Sequence, residues 1–197
     1  MSSRPSRKRK NEEEEESQKK IKMAYKWIAH SDTLHVLDSP EIKPNSKVIG
    51  FDMVKKKKKK INKKKINKDD TIITPKSGAK FAKGRKDWVW LDDSVPKKLK
   101  ELNESGYKIV IFTNQAGVEK GKTKLSDIQG KIEDVMNELG FLIQAFVAAG
   151  TDQFRKPNNT MWEIFQENYN SNKTLEKAMY VGGKKKKIFV ETFFFFV

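Results

Sequence analysis

The chain has 197 residues, enough for one domain with a substantial core and too few for two large ones. It contains no cysteine, which excludes a disulfide framework and any thiolate metal site. No stretch reaches the roughly 18 apolar residues needed to span a bilayer, the closing Phe193–Val197 run is too short to anchor, and the charged amino terminus does not read as a secretory signal. These features describe a soluble intracellular protein without a membrane partner, expected to act as a monomer.

The formal net charge of +16 invites a nucleic-acid-binding reading, but it is unevenly spread. Residues 54–68, 184–197 and 1–26 carry +10, +3 and +4, which leaves −1 for everything else. The part able to fold is therefore neutral, and its bulk charge says nothing about a polyanionic partner. Residues 1–26 are expected to form a disordered tail. A basic cluster (Arg7, Lys8, Arg9, Lys10) followed by Glu12–Glu16 buries too little apolar area to fold. The cluster reads equally as a nuclear-localisation patch or as a solvated terminus.

From Trp27 onward the texture changes. Thr33–Leu37 alternates like a strand, and Lys47–Phe51 is a short apolar run ending at Asp52. Ser94-Val95-Pro96 opens a helical pattern through Leu99 and Leu102 that Gly106 closes. Tyr107–Phe112 reads as a buried strand. Ile128, Ile132, Val135, Met136 and Leu139 give helical spacing over Ser126–Leu139, with Gly140 as the stop. Leu142–Ala148 is another strand, Met161, Trp162, Ile164 and Phe165 share a helix face, and Ala178–Val181 is the last strand. Strands alternating with helices predict an α/β fold with a doubly wound, mostly parallel sheet. Chemistry in such sheets gathers beyond the carboxyl ends of the strands, which points at Asp52, at Thr113 and at the residues after Val181.

Three short segments lie at those places: Phe51-Asp52-Met53, resuming at Asp69-Asp70-Thr71-Ile72-Ile73; Phe112-Thr113-Asn114-Gln115-Ala116-Gly117; and Phe154-Arg155-Lys156-Pro157. Phosphoryl transfer to an aspartate needs a carboxylate nucleophile and a second acid for the leaving oxygen. It also needs donors around the phosphate and a cation to offset its charge. Trp88, Trp90 and Trp162 could stack on bases, but their pattern fits core packing better.

Joining Asp52-Met53 to Asp69-Asp70-Thr71 yields D-x-D-x-T, and in this the chain resembles the haloacid dehalogenase superfamily. The stretches Thr71–Gly78, Gly106–Lys122 (GYKIVIFTNQAGVEKGK) and Phe154–Trp162 (FRKPNNTMW) are similar to the phosphatase domain of the polynucleotide kinase 3′-phosphatase family. The similarity runs from about Trp27 to Gly182. Histidinol phosphatases share part of the FTNQ pattern but are not expected to share the RKP…MW stretch. The resemblance implies Asp52 as nucleophile and Mg²⁺ ligand, and Asp69 as general acid and base that also touches the metal. It implies that Thr113 and the amides near Asn114 hold the phosphate, that Lys156 neutralises it, and that Arg155 contacts phosphate or backbone. The implied activity is Mg²⁺-dependent removal of 3′-phosphates from DNA ends, in the nucleus, in strand-break repair. Relatives often add a 5′-hydroxyl kinase half.

The chain departs from that pattern in two places. Val54–Lys68 (VKKKKKKINKKKINK) separates two aspartates that should lie two positions apart, and Gly183 follows Val181-Gly182 where the resemblance leads one to expect Asp. Residue 70 is Asp where Gly is usual. The expected organisation is a phosphatase domain over 27–183, interrupted at 54–68 and incomplete at its carboxyl end, with an aberrant tail over 184–197. Both interruptions carry marks of retained intron: valine codons begin GT, a lysine codon can end AG, and an aspartate codon split after its G and read into GTAAA encodes Gly-Lys, as at Gly183-Lys184. Two other functions compete with the leading one. They are a catalytically dead module that binds DNA ends, and a small-molecule phosphatase acting on a substrate such as histidinol phosphate.

Overall fold

The computed structural model describes residues 24–53, 72–79, 81–182 and the backbone of 187–189. Most of the expected tail at 1–26, the insert at 54–68, Asp69 and nearly all of 184–197 lie outside the described residues. The elements in chain order are β1 (Lys26–Ala29), β2 (Leu34–Asp38), β3 (Lys47–Phe51), β4 (Ile73–Thr74), β5 (Val89–Trp90), α1 (Ser94–Glu104), β6 (Lys108–Asn114), α2 (Leu125–Leu139), β7 (Gln144–Ala148), α3 (Thr160–Ile164), a π-helical turn (Phe165–Tyr169), β8 (Lys177–Val181) and β9 (Lys187–Phe189).

Seven strands form one sheet in the order β1-β2-β7-β6-β3-β8-β9, and β4 and β5 make a separate small hairpin. The four central strands β7, β6, β3 and β8 run parallel, with antiparallel strands added at both flanks. From β3 the chain goes to one side for β6 and β7, then crosses back to the other side for β8. That reversal opens the crevice at the carboxyl ends of the strands where ligands bind in sheets of this kind.

The continuous apolar runs of β3, β6 and β7 follow from burial on both faces. Alternate side chains enter two different cores. Ile49, Phe51, Ile109, Ile111, Ala145 and Val147 face α1 and α2, where they meet Leu99, Ile128, Ile132, Val135, Met136 and Leu139. Val48, Val110, Phe112, Phe146 and Ala148 face α3 and the π turn, against Met161 and Phe165. The second core is aromatic: Phe112 stacks on Phe146 at 5.2 Å, and Phe165 sets its edge against both at 5.9 and 6.0 Å. Each such ring pair adds about 0.5–1.5 kcal/mol beyond the area it buries.

The helices begin and end where local chemistry dictates. Asp92 accepts hydrogen bonds from the Ser94 amide (2.9 Å) and hydroxyl (2.6 Å) at the start of α1, and Pro96 sits in the first turn, where no amide is missed. Helix α2 stops at Gly140, which takes the left-handed conformation (φ 80°) and donates its amide to Met136 O at 3.0 Å. The expected strands and α2 are all present within a residue or two of the sequence reading. β1, the β4–β5 hairpin and β9 carry too few residues to show a periodicity. The expected helix at 161–165 is a single turn that widens into the π turn. Tyr25 packs on the core just ahead of β1.

Candidate active site

Asp52 follows the last residue of β3. Its amide donates to Val181 O at 2.9 Å, continuing the β3–β8 pairing one step past the end of β3, and its side chain is about one-third exposed. Met53 is buried, and its carbonyl accepts the amide of Ile73 at 3.2 Å. Ile72 and Ile73 are equally buried. The chain thus leaves the core at Met53 and re-enters at Ile72 through a neck closed by a main-chain hydrogen bond.

Thr113 lies near the carboxyl end of the adjacent strand β6, almost fully buried, and its hydroxyl accepts the Gln115 side-chain amide at 2.9 Å. Asn114 follows it. Its side chain clasps the main chain of Lys156 from both sides, donating to Lys156 O at 2.9 Å and accepting the Lys156 amide at 3.0 Å. The Asn114 side chain is thereby tied to the loop that carries the cation. This use of Asn114 was not legible in the sequence, because its partner is a peptide group 42 positions away.

The Lys156 ammonium reaches back between the strand ends. It donates to Phe112 O at 2.6 Å and to the Tyr180 hydroxyl at 2.7 Å, and lies 3.3 Å from Asp52 Oδ1. Asp52 Oδ1 also accepts the Met53 amide at 2.9 Å. Burial pushes the Lys156 ammonium below its ordinary pKa, and the Asp52 carboxylate opposes that shift. The pair is therefore a carboxylate and a partly desolvated cation side by side at the switch point, in low-dielectric surroundings where each acts more strongly on a third charge. The Lys156–Pro157 peptide is cis.

Arg155 is half-buried beside Lys156, and its amide donates to Asp152 O at 3.1 Å. The Asp152 carboxylate accepts the Phe154 amide at 3.1 Å and is hydrogen-bonded to the Thr33 hydroxyl. The β1–β2 turn thus braces the loop bearing Arg155 and Lys156. The structure brings Asp52, Thr113, Asn114, Arg155 and Lys156 to one end of the sheet, and Asp69 lies outside the described residues. Tyr180 escaped the sequence reading because it sits in an apolar strand and looks like core. Trp162 packs with Phe112 (6.0 Å) and Phe165 (5.1 Å), while Trp88 and Trp90 pack edge to face at 5.4 Å, so all three lie against the cores as expected.

The order of the sheet and the Asp52–Lys156 pair at its switch point define the class, an α/β domain with a doubly wound, mostly parallel sheet. A solved structure from Mesorhizobium loti described as HAD-like shares this fold, with a TM-score of 0.58 and 17% identity over 79% of this chain and 72% of that one. The family model described as polynucleotide kinase 3 phosphatase matches residues 64–191, more than half of the chain. The chain belongs to that family. A bifunctional polynucleotide phosphatase/kinase of Schizosaccharomyces pombe is 33% identical over 77% of this chain and 34% of its own length. A polynucleotide 3′-phosphatase of Arabidopsis thaliana is 31% identical over 48% of this chain and 16% of its own. The chain thus spans about a third or less of these two relatives.

Proposed function

We propose that this chain is a Mg²⁺-dependent polynucleotide 3′-phosphatase that acts on 3′-phosphate DNA ends in strand-break repair. The observation that carries the reading is the Asp52–Lys156 pair at 3.3 Å, flanked by Thr113, at the carboxyl ends of β3 and β6. The family and the named activities of the relatives support the substrate. The phosphatase domain runs over 27–183 with an interruption at 54–68, and the basic cluster at Arg7–Lys10 supports a nuclear location.

Asp52 attacks phosphorus, the bond to the 3′-oxygen breaks, and Asp69 gives that oxygen its proton. Water then attacks the aspartyl phosphate, Asp69 takes the proton, and phosphate leaves with Asp52 regenerated. Lys156 offsets charge on the equatorial oxygens, Thr113 and the amides near Asn114 hold them, and Arg155 reaches the substrate backbone. Among the described residues no three His, Asp or Glu side chains converge. Carboxylates are the protein ligands that Mg²⁺ takes, so Asp52, about one-third exposed at the end of β3, fits the ion, and Asp69 would share it. Bound there, Mg²⁺ supplies charge neutralisation for the transferring group.

The test is metal-dependent release of phosphate from a 3′-phosphorylated oligonucleotide, compared with histidinol phosphate. Release from the oligonucleotide alone supports the proposal, and preference for histidinol phosphate overturns it. Binding of the oligonucleotide without release would favour the DNA-end-binding reading, which Gly183 in place of the expected Asp recommends.

A further inference from the structure

We propose that Tyr180 is a positioning residue: its hydroxyl fixes the Lys156 ammonium, and Gly50 and Gly182 leave the room its ring needs. The inference rests on the functional reading above for what Lys156 does, but on geometry alone for what Tyr180 does. Tyr180 lies opposite Gly50 across the β3–β8 ladder. A methyl group at Gly50 would come within 3.0 Å of the Tyr180 ring and 3.2 Å of the Phe112 ring. One at Gly182 would sit 2.7 Å from the Tyr180 ring, 3.0 Å from its hydroxyl oxygen and 3.1 Å from Asp52 Cβ. Gly50 on β3 and Gly182 just past β8 leave the space through which the ring reaches the strand ends.

The consequence falls on Lys156. A lysine side chain is a flexible four-carbon stem with three donors, and alone it would not hold one position. Here two short hydrogen bonds, to Phe112 O at 2.6 Å and Tyr180 Oη at 2.7 Å, fasten the ammonium from the sheet side. Its longest contact, 3.3 Å, faces Asp52, where phosphate would enter. Two anchors behind and one donor in front is the arrangement that aims a cation at a transferring group. The Lys156 nitrogen stands 5.4 Å from the Tyr180 ring centroid, so the hydroxyl provides the close contact. A charge aimed in this way matters most when the equatorial oxygens carry the most charge, in the transition state.

The experiment compares the full-length chain with Tyr180→Phe, which keeps the ring and removes the acceptor. Binding of orthovanadate, whose trigonal-bipyramidal form mimics the transition state, and of inorganic phosphate is measured by calorimetry with Mg²⁺ present. The expected result is vanadate binding weaker by about tenfold and phosphate binding changed by less than about twofold, at an unchanged thermal midpoint. Where turnover is measurable, kcat falls by about the same tenfold factor with KM held. Gly182→Ala, which displaces the ring, is expected to show the same split. Equal vanadate binding by Tyr180→Phe and wild type overturns the proposal. So does an equal loss of both ligands accompanied by a lower midpoint, which would mean packing alone. Because both ligands are read without a nucleic-acid substrate, these outcomes stand apart from the failure of the 3′-phosphatase reading.

Discussion

The two strand ends that build the site are held in very different ways. The loop bearing Lys156 is fixed many times over: by Asn114 on its main chain, by Asp152 bonded to Thr33, by buried Phe154, and by the Ala149 amide donating to Thr33 O at 2.7 Å. Asp52 is placed by β3 itself, by one bond to Val181 O and by the neck at Met53 and Ile73. The cation therefore sits in a redundant network, whereas Asp52, the proposed nucleophile, has fewer supports around the end of β3. Damage to the first should be graded, and damage to the second should be all or none.

The largest expected effect removes the proposed nucleophile. Asp52→Ala should reduce phosphate release from a 3′-phosphorylated oligonucleotide by at least about 10⁴-fold, because no other group can form the acyl phosphate. Appreciable remaining turnover would move the nucleophile elsewhere and erase the contrast. The next effect runs upward. Deleting residues 54–68 should raise activity about a hundredfold, since misplacement of a reacting group by about 1 Å can cost that much. Closing the neck with three residues in place of eighteen also lowers the loop-closure cost by about 1.6 kcal/mol. Equal activity of the two forms would show that the insert leaves Asp52 and Asp69 in register. Complementary DNA that joins Met53 directly to Asp69 would show that the insert is intronic, and a mature message that keeps the lysine run would exclude it.

A smaller effect probes the redundant side. Asn114→Ala should lower kcat/KM about tenfold, less than the loss from Asp52, because Phe112 O, Tyr180 and Asp52 still hold the Lys156 ammonium. A loss as large as that of Asp52→Ala would mean that the network is a chain of single dependencies. The last concerns stability rather than activity, at the opposite end of the sheet. Lys108 is buried there, donates to Tyr169 O at 2.7 Å, and burial lowers its pKa from 10.5 to about 8. Between those values the unfolded chain keeps a proton that the folded protein has lost. Wild type should therefore gain on Lys108→Met by on the order of 2 kcal/mol as pH rises from about 8 to about 10, as read by urea melts. No pH dependence in that difference would mean that Lys108 stays charged in the fold.

Much of the scaffold was legible because burial writes itself into the chain. The runs 47–51, 107–112 and 178–181 are strands covered on both faces, and Ile128, Ile132, Val135, Met136 and Leu139 repeat as one helix face does. Strand ends collect chemistry in this topology, which pointed at Asp52 and Thr113, whereas Lys156 was singled out by the resemblance of its FRKPNNTMW stretch. Asn114 could not, since an asparagine that holds a distant peptide looks the same as one that holds substrate. Tyr180 could not either. Its partner glycine lies on another strand, and its neighbours Met179 and Val181 give it the appearance of ordinary core. The short β1, β4, β5 and β9 left no period to read. The π turn was hidden by Phe165 and Tyr169, whose spacing is also that of an α-helix.

The aromatic core beneath the site offers a spectroscopic handle. Of the four tryptophans, Trp27, Trp88 and Trp90 pack on the aliphatic side of the sheet, and Trp162 alone lies against the aromatic side. Its ring is 6.0 Å from that of Phe112, the residue whose carbonyl receives the Lys156 ammonium. Emission from a chain in which Trp27, Trp88 and Trp90 are replaced by phenylalanine would come from one indole, a single residue removed from the cation. A ligand that draws Lys156 forward would then change the light from Trp162, so occupancy of the site could be followed in real time without a labelled substrate.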